Sequence, residues 1–146
     1  MLKNDRWIHE QAAAGMIEPF QGTLVRHLDP EARTGAVLSF GCSSYGYDLR
    51  LSAKTLRVPA NITVICFGKS TYARLGIIVN TTPAEASWEG HLTLEFSNSS
   101  GADCRIYAGE GICQLLFFEG DPCATTYQDR AGKYQHQPER VTLARI

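Results

Sequence analysis

Four consecutive residues, Gly68, Lys69, Ser70 and Thr71, set a cation and two hydroxyls beside a glycine. Glycine lets the backbone bend until successive N–H groups converge on one anion. Lys69 adds a point charge, and Ser70 and Thr71 add hydroxyl donors. Such a set can grip phosphate. Arg74, four residues beyond Ser70, is always charged and can fork onto phosphate or fix a carboxylate. Glu95 follows between Leu94 and Phe96. If its face lines a cleft, burial raises its pKa towards neutrality and suits it to moving a proton. A phosphate grip and a proton carrier within residues 68–96 point to an enzyme acting on a phosphorylated small molecule. Singly, each feature has a plainer reading: a solvated turn, a structural ion-pair partner and a solvated strand glutamate.

Other chemistries fit less well. The Gly-Lys-Ser run looks like the end of a phosphate-binding P-loop, but the full GxxxxGK[ST] pattern needs glycine at position 63, where Thr63 stands, and a long helix after it. Zinc deaminases carry HxE and PCxxC. Pro122-Cys123 follows a glutamate, but position 126 is Thr, and His91 and Glu95 are too far apart for HxE. No GxSxG elbow supports a serine hydrolase.

The elements that must hold these residues are mostly strands. Tyr45, Tyr47, Leu49 and Leu51 share one parity, with Gly46, Asp48 and Arg50 on the other. Residues 62–67, 75–82, 91–97, 104–107 and 112–119 read as further strands, separated by Pro- and Gly-marked turns. Short strands at close spacing predict an all-β sandwich or barrel. Residues 5–14 predict a helix with Asn4 or Asp5 as cap, Trp7 and Ile8 inward and Gly15 as stop. Residues 21–41 read as a loop. The tail, 129–146, is polar and reads as frayed or as a segment that closes over a ligand.

The chain has 146 residues and a hydrophobic fraction of 44%, which predicts one folded domain: helix and loop over about 1–38, barrel over about 39–128, tail over about 129–146. Lys and Arg total 14 against 15 for Asp and Glu, so no broad basic surface is available for nucleic acid or an anionic membrane. No apolar run has membrane-spanning length and the first twenty residues lack an h-region, so the expected location is cytoplasmic. The five cysteines show no CxxC spacing and read as free packing thiols.

Five blocks in order, SSYGYDLR (43–50), GKSTYARLGIIVN (68–80), WEGHLTLEFSN (88–98), YAGEGICQLLFFE (107–119) and GKYQ (132–135), together resemble the dCTP deaminase branch of the dUTPase-like superfamily. The resemblance implies a mainly β, dUTPase-like distorted barrel, jelly-roll-like, with a short N-terminal helix. It implies zinc-independent deamination of dCTP to dUTP, Mg²⁺ carried with the triphosphate, dTTP as an inhibitor, and a homotrimer with active sites between subunits. Glu95 falls on the family's acid/base, and Ser70 and Arg74 would order the attacking water and hold Glu95. Lys69, Ser70, Thr71, Tyr72, Ala73 and Arg74 correspond to the nucleotide-binding block, and Thr93 and Leu94 would meet the base through the backbone. Gln114, Tyr127 and Gln137 fall on remaining ligand positions, with Lys133 and Tyr134 beside them. The family normally has about forty more residues, several strands' worth, between Arg50 and Val58. A bifunctional deaminase-dUTPase is the related alternative, disfavoured because residues 81–88 lack the aspartate of a dUTPase turn. A catalytically impaired nucleotide-binding homologue is the other.

Overall fold

A computed structural model describes residues 1–52 and 54–145. Helix α1 (Asp5–Ala13) starts where the Asn4 side chain accepts from Trp7 N at 3.2 Å, a cap contributing about 1 kcal/mol. Gly15, at φ 90°, ends it, because a left-handed residue cannot continue the helix. Its inner face buries Ile8 completely and Trp7 partly.

Five antiparallel strands make the main sheet, in the order β2 (Val25–Asp29), β3 (Thr34–Ser43), β4 (Gly46–Arg50), β10 (Gly111–Glu119), β6 (Ile62–Gly68). β10 is central, paired with β4 on one side and with β6 along its length on the other. Cys113, Leu115 and Phe117 are buried on one of its faces, while Gln114, Leu116 and Phe118 on the other are half-buried. A three-stranded sheet, β1 (Ile17–Glu18), β5 (Thr55–Arg57) and β8 (Glu89–His91), is tied across by Arg57, which pairs with Glu18 at 2.6 Å and Glu89 at 3.0 Å. A two-stranded ribbon, β7 (Ile77–Asn80) with β9 (Glu95–Asn98), follows the one-turn helix α2 (Ser70–Arg74). One hydrophobic cluster takes side chains from all three sheets and both helices, including Ile17, Tyr47, Val64, Tyr72, Ile77 and Phe117. No helix among the described residues is long and apolar enough to cross a membrane.

The mainly β architecture and the N-terminal helix follow the sequence expectation, and four details differ. Residues 21–41 are not a loop: β2 and the start of β3 form a hairpin whose turn is held by Asp29 Oδ1, which accepts from Glu31 N and Ala32 N. The strand expected over 91–97 is split. β8 ends at His91, β9 begins at Glu95, and residues 92–94 cross from one sheet to the other. Residues 104–107 form no strand; Cys104 and Ile106 still turn to the core, but the segment has no ladder partner, since both edges of β10 and the facing edges of β7 and β9 are used. The tail is not frayed. His136 N donates to Glu89 O at 2.7 Å, His91 N to Gln137 O at 3.0 Å, and Gln137 bridges Gly90 in parallel.

Candidate active site

Two recesses, on opposite sides of the β4–β10 pair, are lined by Lys69, Ser70, Thr71 and Gln114 in one and Thr93 and Leu94 in the other. Asp48 and Gln114 stand opposite each other in that register and face a groove of about 590 Å³. Leu49 and Leu115, one residue further along each strand, line a cavity of about 370 Å³ on the other side.

The groove contains Lys69, Ser70, Thr71 and Gln114, with Arg26, His27 and Ser39 completing its polar lining. Lys69 precedes α2 with extended backbone, so its side chain turns back onto the sheet. There it forms an ion pair with Asp48 and donates to Ser39 Oγ at 2.9 Å. Gln114 Nε2 donates to the other Asp48 oxygen at 2.9 Å and to Ser43 Oγ at 3.1 Å. Asp48 is only 5% exposed, and its carboxylate is matched by an ammonium, an amide and the Ser39 hydroxyl. A buried charge is tolerated on such terms. Sequence reasoning passed over Asp48. Its one signal was a carboxylate flanked on each side by an apolar residue, Tyr47 and Leu49, within a strand. Ser70, Thr71, Ala73 and Arg74 are exposed, whereas Tyr72 is buried in the core. Burial pushes the Tyr72 phenol up.

The cavity has a floor of Ile17, Leu49, Leu56 and Leu115, and His91, Leu92, Thr93 and Leu94 form one wall. Arg50, Lys54 and Arg140 stand at its polar side. Burial, and secondarily the Arg50 guanidinium, hold the Lys54 amine below the usual lysine range. Residues 92–94 cross between sheets, and among the described residues they make no backbone–backbone hydrogen bond. Thr93 Oγ1 donates to Gln137 Oε1 at 3.0 Å, which brings a tail residue to this wall.

Glu95, the first residue of β9, is exposed and faces neither recess. It lies opposite Asn80 at one end of the β7–β9 ribbon. Arg74 precedes Ile77 at the other end, and its guanidinium folds back to Ser70 O at 3.0 Å. The three strand steps from Ile77 to Asn80 alone span about 10 Å. One chain therefore does not bring Arg74 to Glu95. In the tail, the Tyr127 hydroxyl accepts from Tyr134 N at 3.0 Å, and Trp88 Nε1 donates to Tyr134 O at 2.9 Å. Lys133 is exposed, with its ammonium on Arg145 O at 2.9 Å. All five cysteines are free, with Cys42 and Cys113 buried.

A family model described as dCTP deaminase-like matches residues 52–120. The chain is 43% identical over 189 residues to the dCTP deaminase of Bordetella petrii, covering 99% of this chain and 98% of that protein. It is 44% identical over 191 residues to the dCTP deaminase of Dechloromonas aromatica, covering 99% of each. Against that of Acidobacterium capsulatum the identity is 42% over 181 residues, covering 93% and 94%. These alignments are longer than the 146-residue chain, so each relative carries residues with no counterpart here. Sharing over two-fifths of its residues with proteins that it matches from end to end, the chain belongs to the dCTP deaminase family.

Proposed function

We propose that this chain catalyses the hydrolytic deamination of dCTP to dUTP and ammonia, as a cytoplasmic enzyme of the nucleotide pool. The observation that carries the reading is the near-complete alignment with curated dCTP deaminases at about 43% identity. Residues 92–94, immediately before Glu95, support it further: among the described residues their backbone has no backbone partner, and a pyrimidine edge is read by such N–H and C=O groups.

In this reaction water adds to C4 of cytosine and the C4–N4 bond breaks. Glu95 takes a proton from the water as its oxygen bonds to C4 and delivers it to N3. It then takes the proton left on the C4 hydroxyl and passes it to N4, so that the C4=O bond forms as N4 leaves as ammonia. One carboxylate can serve in both directions when its pKa is poised between the two steps. Ser70 and Arg74 hold the water and Glu95 in line, which replaces solvent reorganisation by fixed donors. Thr93 and Leu94 bind the base through the backbone. Ser70 to Arg74, Gln114, Tyr127, Lys133 and Gln137 bind the rest of the nucleotide, and Lys69, held on Asp48, positions the turn that carries Ser70 and Thr71. Mg²⁺ enters with the triphosphate and neutralises part of its charge; Asp48, the carboxylate of the groove, is already engaged by Lys69 and Gln114.

The separation of Arg74 from Glu95 within one chain supports an assembled site, with Glu95 from one subunit and the Ser70–Arg74 segment from the next, in a homotrimer. The test is release of ammonia from dCTP and Mg²⁺ by purified protein. Glu95→Gln should lower kcat by about 10²–10⁴-fold, the usual contribution of a positioned acid/base, with dCTP binding retained. A variant that keeps wild-type kcat would remove Glu95 from the mechanism. Tight dCTP binding without turnover by the wild-type chain would instead make it a nucleotide-binding relative that has lost catalysis.

A further inference from the structure

The groove beneath the β2–β3 hairpin holds two basic side chains that no step above uses, Arg26 and His27. Successive residues of a regular strand face opposite sides. Here both line one recess, because the ladder is irregular between Val25 and His27. Val25 pairs with Phe40 and His27 with Ala36, so three residues of β3 oppose Arg26 alone. Bulges of this kind re-aim side chains and recur beside active sites.

Charge accounting gives these residues a role. The groove's one acidic side chain, Asp48, is paired with Lys69, and both are largely buried. Lys69 and Asp48 therefore cancel, and the turn at residues 68–71 has no uncommitted cation of its own. The side-chain hydrogen bonds within the groove belong to Lys69, Asp48, Ser39, Ser43 and Gln114. Among the described residues, Arg26 and His27 form no ion pair. Arg26 is exposed and His27 half-buried, so both can meet a ligand that enters from solvent.

We infer that Arg26 and His27 bind the terminal phosphates of the nucleotide, making the β2–β3 hairpin part of a polyphosphate cradle opposite Ser70 and Thr71. The inference rests on the reading of the chain as an enzyme of a nucleoside triphosphate. A guanidinium fork matches two phosphate oxygens, and an imidazole N–H supplies a third donor, whereas Lys69 cannot leave Asp48 without stranding a buried carboxylate.

Calorimetric titration with inorganic tripolyphosphate, dCTP and dCMP, all with Mg²⁺, tests this directly. Wild-type protein should bind all three. Arg26→Ala should weaken tripolyphosphate and dCTP by about tenfold or more and leave dCMP unchanged, the loss expected for a charge-assisted hydrogen bond. His27→Ala should weaken the same two ligands by less, and Arg26→Lys should recover part of the loss, which a merely unfolded hairpin would not show. Wild-type protein that ignores tripolyphosphate, an Arg26→Ala variant that binds it as wild type does, or an equal loss for dCMP would each overturn the inference. The outcome is separable from the activity. If wild type releases no ammonia yet Arg26→Ala loses tripolyphosphate, the deaminase reading falls and the cradle stands. If wild type deaminates dCTP and Arg26→Ala keeps its KM, the reverse holds.

Discussion

Asp48 is the residue on which the groove turns. It sits in β4, 5% exposed, and holds Lys69, Gln114 and Ser39 in one network. The ion pair itself adds little net stability, because removing two charges from water costs about what their attraction returns. Breaking it is another matter. Asp48→Asn leaves the Lys69 ammonium largely buried without a counter-charge, and should cost about 3–5 kcal/mol in urea unfolding. Adding Lys69→Met to the same chain should recover much of that loss. If the single variant unfolds at the wild-type midpoint, Asp48 does not organise the groove. Glu119 makes a different kind of contact, on the surface, where Lys3 holds its carboxyl below the usual range, with help from the N-terminal amine and Asn61. A carboxylate depressed in the folded state contributes stability above its unfolded pKa and loses it as pH falls through the folded value. The gap in thermal midpoint between wild type and Glu119→Gln should therefore be widest near neutral pH and close in acid. A gap that persists in strong acid would show that charge is not its source.

Among the elements, the docked tail depends on one backbone position. Gly90 in β8 adopts φ 150°, and a Cβ there would lie 2.6 Å from Gln137 N. Only glycine allows both the conformation and the approach. Gly90→Ala should cost about 1–3 kcal/mol of local strain and release residues 133–145 from β8, taking Gln137 away from Thr93. Limited trypsin digestion should then cut at Lys133 and Arg140 faster than in wild type, with cleavage elsewhere unchanged. Equal rates would mean that the tail stays docked without this approach. The loop from β8 to β9 works in the opposite sense. Three residues, Leu92, Thr93 and Leu94, leave one sheet before entering another, and among the described residues none pairs with their backbone.

For the whole molecule, the decisive feature is that the two recesses lie on opposite sides of the β4–β10 pair while Glu95 and Arg74 stand at opposite ends of the β7–β9 ribbon. If each site takes Glu95 from one subunit and Arg74 from its neighbour, two inactive proteins can repair each other. Co-refolding Glu95→Gln with Arg74→Ala in equal amounts should restore activity to about one quarter of wild type. In a ring of heterologous interfaces, that is the share at which both faces are intact. Light scattering should give three times the 16.1 kDa chain mass. Mixtures as inactive as either parent would mean that both residues serve the same site from one chain.

The amino-acid sequence alone determined the β-rich class and the capped helix, because these rest on local facts: period-two alternation and Asn4 before a helical run. It also carried the family, since five ordered blocks do not depend on where they fold. It did not disclose that β2 and β3 form a hairpin over the turn at residues 68–71, that residues 91–97 divide between two sheets, or that Asp48 absorbs the charge of Lys69. Each of those is decided by pairing between segments far apart in the chain. A strand becomes a strand only when an edge is free to receive it, and a lysine is free to bind phosphate only if no buried carboxylate has reached it first. Partner availability is a tertiary quantity, which is why Lys69 reads as a phosphate ligand in the sequence and stands as half of an ion pair in the fold.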